Sequence, residues 1–137
     1  MRYAFLIHTD QSAMKSWQEE DMWECLHKAD EYEAALKRSG HFILSHGLEW
    51  SSQATVLRKQ SGKVVNTDGP FAETKEQLLG FLLIEARDRE EAIALAAGLP
   101  MLDDSTVEVR AVEEFENEVP ENVGEPAARP SSGGQTG

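Results

Sequence analysis

Two segments of this chain are apolar on both parities. Tyr3, Phe5 and Ile7 alternate with Ala4 and Leu6, and Phe81 and Leu83 alternate with Leu82 and Ile84. Strands written this way lie inside a sheet and need cover on both faces, because a strand with one wet face alternates apolar with polar side chains. The spacing Ser16-Trp17-Gln18-Glu19 predicts a helix start, with the serine hydroxyl and the glutamate carboxylate satisfying open backbone amides. Met22, Cys25, Leu26, Ala29, Tyr32 and Leu36 then recur at three- and four-residue steps before Gly40, so one stripe of this helix is expected to pack on the sheet.

Phe42-Ile43-Leu44 predicts a second strand, and the segments 54–59 and 63–67 around Gln60-Ser61-Gly62 predict a hairpin. Asp68-Gly69-Pro70 breaks the chain before a strand over Gly80 to Ala86. Asp88-Arg89-Glu90-Glu91 offers a second cap for a helix through Ala92, Ile93 and Ala96, and Thr106 to Val112 forms the last strand. The order β-α-β, hairpin, β-α-β predicts a ferredoxin-like α+β sandwich with an inserted β-hairpin. Two helices cover only one face of a four-stranded sheet, so a homodimer with the two sheets facing each other is expected.

The 137 residues suffice for one domain. From Val119 onward the text is rich in Pro, Gly and Ser, which sets a domain over residues 1–115 and a disordered tail over 116–137. The formal net charge is −12, and most of the acidity belongs to the domain. Such a charge repels phosphate backbones and anionic headgroups, so neither nucleic acid nor a membrane surface is an expected partner. A ligand is expected to be neutral or cationic unless Arg110 or Lys75 reverses the local sign. Cys25 is the single cysteine, and no Cys/His spacing suits a metal, so no metal or cofactor is expected. The opening apolar run turns polar at Thr9-Asp10 without a cleavage site, and the longest apolar stretch is far short of a membrane span. A cytoplasmic protein is the expectation.

The densest cluster is Thr67 to Glu76. Asp68 can bond backbone amides two residues on, Gly69 permits positive φ, and Pro70 fixes φ, so the segment reads as a rigid turn with Phe71 anchored inward. A functional reading stands beside this one: the turn delivers Asp68, Glu73 or Lys75 to the mouth of a sheet-lined cavity, where a carboxylate acts as acid or base. Among the histidines, His41 and His46 are spaced to opposite faces of a strand, and His27 reads as a surface helix residue. His8 ends the first strand on the parity of Ala4 and Leu6, either solvated or placed for proton transfer at the cavity rim. Arg110 alternates with valines and is read either as an anion-binding residue or as solvent-facing. Trp17 and Trp23 read as helix-packing residues.

The stretch Thr67-Asp68-Gly69-Pro70-Phe71-Ala72-Glu73-Thr74-Lys75-Glu76-Gln77-Leu78, followed by Phe81 to Ala86 and by Val107-Glu108-Val109-Arg110, closely resembles the DGPF group of the YCII-related family. Residues 1–7 and Gly47-Leu48 are also similar to it. The resemblance implies small bacterial proteins, mostly without an assigned activity, whose ferredoxin-like protomers dimerise into an α+β barrel. It implies a small-molecule-binding or enzymatic cavity at the sheet and the DGPF turn, with Asp68 as an acid/base group and Gly69, Pro70 and Phe71 shaping the loop. The wider family's helix histidine paired with an aspartate is implied as well, and the corresponding stretch here holds His27 and Asp30, which leaves open which residue aligns. Leu79 and Ala111 depart from the family pattern, which usually has glycine and proline there. Genomic association of such proteins with extracytoplasmic-function sigma factors implies the alternative of a regulatory or accessory module.

Overall fold

The computed structural model describes residues 1–114. Strand β1 (Arg2–Thr9) leads through a short helix α1 (Gln11–Met14) into the long helix α2 (Glu19–Arg38), then β2 (Phe42–Gly47). The hairpin β3 (Thr55–Gln60) and β4 (Lys63–Asp68) follows, then β5 (Gln77–Glu85), α3 (Arg89–Ala96) and β6 (Ser105–Ala111). The four long strands form one antiparallel sheet in the order β2-β5-β1-β6, and β3 and β4 form a separate two-stranded sheet. This is the ferredoxin-like α+β order that the sequence predicts, with β1 and β5 in the centre. The expected domain boundary at 115 and the tail over 116–137 lie outside the described residues.

The parity of the central strands divides their work. Tyr3, Phe5 and Ile7 point to the helices and lie opposite Ile84, Leu82 and Gly80, while Ala4, Leu6, Phe81 and Leu83 point to the other face. On the helical side they meet Leu36, Ala86, Ala92, Ala96 and Leu99. Each large apolar side chain buried there contributes roughly 1.5–3 kcal/mol relative to exposure. Helix α3 starts where the sequence places it: the Asp88 carboxylate accepts from the Glu91 amide at 2.9 Å, satisfying one of the free donors of a helix start. The opposite sheet face is half-buried at Leu6, Leu44, Phe81 and Leu83 and has no described element over it.

Three expectations are corrected. Helix α2 begins at Glu19, not at Ser16, because the Ser16 hydroxyl turns back to the Ala13 carbonyl (2.7 Å) and closes α1, while Asp21 accepts the Gln18 amide (3.3 Å). Trp23 is exposed rather than packed, since it lies one position off the Met22–Cys25–Ala29 stripe. Phe71 is 77% exposed rather than anchored inward. Neither the hairpin nor the turn after it contributes a residue to the hydrophobic core, so no core lies beneath that ring. The Arg58 guanidinium covers it at 5.5 Å instead.

Candidate ligand-binding cleft

The C-terminal half of α2 packs against the sheet and α3, with Leu36 buried and the Tyr32 hydroxyl donating to the Leu95 carbonyl at 2.7 Å. Burial pushes the Tyr32 phenol up to about 12. The N-terminal half stands off. Between its Met22, Cys25, Leu26 and Ala29 and the sheet residues Ile7, Ser45, Gly80 and Leu82 lies a cavity of about 460 Å³, within the size range of small-molecule sites. Met14, Met101, Leu48 and Trp50 complete its walls. Burial raises the Cys25 thiol above its ordinary value, with Asp104 adding to the effect, so it stays protonated and neutral at pH 7.

The rim is fixed by the backbone. The Leu48 amide donates to the Leu79 carbonyl at 2.8 Å. Gln11 is buried and its polar atoms are engaged: Nε2 donates to the Leu78 carbonyl (3.3 Å), and Oε1 accepts from the Ser51 amide (2.9 Å) and hydroxyl (3.0 Å). This side chain ties α1, β5 and the loop after β2 together, and Lys15 caps the Trp50 ring at 5.2 Å. At the floor, a Cβ on Gly80 would stand 2.7 Å from the His46 carbonyl oxygen. Glycine is what lets β2 approach β5 so closely.

The residues singled out in the sequence lie elsewhere. His8 sits on the other sheet face with Nε2 3.2 Å from Glu108 Oε1, in a shallow depression of about 910 Å³ shared with Thr74, Lys75 and Glu76. Lys75 and His8 line the same depression. Arg110 lies on the same sheet face opposite Ala4, and its side chain is exposed. Asp68 is exposed at the foot of the hairpin opposite Thr55, and among the described residues its carboxylate makes no hydrogen bond, so the side-chain turn expected there is absent. Gly69 does adopt positive φ, at 101°, and its amide closes on the Ala54 carbonyl (2.9 Å). Pro70 is half-buried and Glu73 exposed. His27 pairs with Glu31 (3.5 Å) on the exposed side of α2, not with Asp30. His41 and His46 diverge: one reaches Glu91 (3.5 Å), and the other tilts on Phe81 with ring centroids 5.9 Å apart.

Residues 1–116 match the family model described as YCII-related domain. An uncharacterized protein of Rhizobium meliloti (strain 1021) is 34% identical over 106 residues, covering 77% of this chain and 86% of the relative.

Proposed function

The chain belongs to the YCII-related family, and on that premise we propose that it is a small-molecule-binding domain whose ligand, uncharged and largely apolar, enters the cleft between α2 and the sheet. One observation supports this reading: an apolar cavity of about 460 Å³ with a rim hydrogen-bonded in place. A preformed apolar site with few polar groups takes a ligand by burying its surface, at about 25 cal/mol per Å². The chain's net charge of −12 disfavours anions. Met14, Met22 and Met101 give the walls unbranched, adaptable side chains, which suits aromatic or irregular apolar ligands. The open sheet face, with Leu6, Leu44, Phe81 and Leu83, is proposed to be covered by a second copy.

A second reading rests on the His8–Glu108 contact. A histidine hydrogen-bonded to a carboxylate, in a depression that Lys75 also lines, is an arrangement for proton transfer at the sheet face. The accessory-module reading has no geometric observation of its own.

The cleft is tested with the neutral fluorophore N-phenyl-1-naphthylamine. Wild-type protein is expected to bind it saturably, and bound probe should slow alkylation of Cys25. Ala29→Leu fills the cleft and should weaken binding by about tenfold or more, a loss of about 1.4 kcal/mol, without lowering the melting temperature. Ile93→Ser, on the exposed surface of α3, should bind as wild type does. Equal binding by wild type and Ala29→Leu would overturn the reading.

A further inference from the structure

Among the sheet residues that line the cleft, Ser45 is the one that turns a polar side chain toward α2. It lies opposite Leu82, which is buried on the helical face, and residues directly opposite in an antiparallel pair point to the same side. His46, the next residue, takes the other side and tilts on Phe81. The Ser45 hydroxyl makes no hydrogen bond with any described residue. The neighbouring polar groups are spent: Gln11 is bonded to Leu78 and Ser51, and the Tyr32 hydroxyl to the Leu95 carbonyl. A hydroxyl both donates and accepts, so one left unpaired on an apolar wall offers a partner to a polar group on the ligand.

The place of Ser45 along the cleft says what that group is. A second hollow of about 250 Å³ adjoins the cleft and shares Ala29, Ser45, Leu82 and Met101 with it. Past these four residues its walls turn polar, with Asp30 and Glu33. Ionised carboxylates only accept hydrogen bonds. A ligand group at this junction therefore meets acceptors on one side and the Ser45 hydroxyl on the other, which suits a hydroxyl and disfavours a carbonyl or a carboxylate. An ammonium would also meet acceptors, but its charge is costly to place against Met22, Leu26 and Leu82.

We propose that Ser45 is the specificity-determining contact of the cleft and that the ligand is an alcohol, its apolar body among Met22, Leu26 and Leu48 and its single hydroxyl hydrogen-bonded to Ser45 Oγ where the two hollows meet. This class rests on the cleft reading, and it gives the largely apolar ligand a polar end.

Three naphthalenes of nearly one shape test the contact: 2-naphthalenemethanol, 2-ethylnaphthalene and 2-naphthylmethylamine, a cation at pH 7. Each competes with N-phenyl-1-naphthylamine for the cleft. Wild-type protein is expected to bind the alcohol more tightly than the amine. Ser45→Ala should weaken the alcohol by about three- to tenfold, the size of one hydrogen bond between neutral groups, and leave 2-ethylnaphthalene within about twofold. Ser45→Thr keeps the hydroxyl and should keep the ratio of alcohol to hydrocarbon. Both variants should bind the fluorophore as wild type does, since Ser45 is outside the hydrophobic core. An equal response of alcohol and hydrocarbon to Ser45→Ala, a ratio lost as fully in Ser45→Thr, or tighter binding of the amine than of the alcohol would overturn the inference and leave the cleft reading standing. Fluorophore binding lost in Ser45→Ala would make Ser45 a structural part of the wall and overturn it too. Wild-type protein that binds no fluorophore would remove the cleft reading, and this inference with it.

Discussion

The two ends of α2 lie over the same sheet in opposite states. Toward its C-terminus, Tyr32 and Leu36 press on a floor made by Tyr3 and Ile84, with Ala92, Ala96 and Leu99 alongside. Toward its N-terminus, Met22, Cys25 and Ala29 look onto a cavity. The difference is one of volume supplied along two neighbouring rows. On β5 the helix-facing residues run Ile84, Leu82, Gly80 from the packed end to the open one, and along α2 the stripe runs Leu36, Tyr32, Ala29, Cys25. Bulk drops to glycine on β5 and to alanine and cysteine on α2 before Met22, so the layers meet at one end and part at the other. A close-packed interior tolerates no such gap without a reason.

The sharpest way to break this comparison is to delete volume at each end. Ile84 has no exposed surface, and Ile84→Ala is expected to cost about 3–5 kcal/mol, by lost transfer and a new cavity. Met22→Ala removes a side chain that already borders empty space and should cost below about 1.5 kcal/mol, since little packing is lost. Equilibrium denaturation measures both. Similar costs would mean that the cleft closes in solution.

The next effect in size falls on the floor of the cleft. Gly80→Ala puts a methyl group 2.7 Å from the His46 carbonyl oxygen and 3.1 Å from the Gly47 Cα. Backbone cannot rotate away as a side chain can, so β2 must shift at a cost of about 1–3 kcal/mol. Probe affinity should change with stability, because Ser45 to Gly47 form a wall of the cleft. A stability loss with unchanged binding would detach the wall from the site.

Much of the fold was legible because it follows from parity and local chemistry. The doubly apolar strands, the Ser61-Gly62 turn and the Asp88 cap are each decided within a few residues. The start of α2 is not legible, because Ser16 and Gln18 compete as starts two residues apart and only the bond from Ser16 to Ala13 decides between them. The site was less legible. Met22, Cys25 and Ala29 carry the same signal whether they touch a sheet or border a cavity. The turn chemistry of Asp68 and Phe71 is local, but whether the turn packs on a core is a tertiary outcome, and both residues are exposed. His8 was placed correctly by parity, and its partner Glu108 followed only from the register of β1 against β6.

Proton titration separates the two ends with the smallest perturbation. At the packed end, the Glu91 carboxylate accepts the Arg87 amide at 2.7 Å, with the Arg87 guanidinium and His41 beside it, and these hold its carboxyl below the usual range. At the cleft end, burial raises the Cys25 thiol. A group lowered in the folded state favours folding above its ordinary pKa, about 4.3 for glutamate, and that contribution is lost as pH falls through the lower folded value. A raised thiol behaves in the opposite sense: its contribution is present below about 8.5 and is lost as pH rises. Glu91→Gln, uncharged at every pH, should therefore be less stable than wild type at pH 7, and the gap should narrow as the pH falls below the ordinary glutamate range. Some acid slope should persist in that variant, because the N-terminal ammonium also lowers Glu85. Thermal unfolding from pH 3 to pH 7 measures the gap. A constant difference across that range would mean that the variant's cost comes from lost packing at the head of α3, with no share carried by the charge.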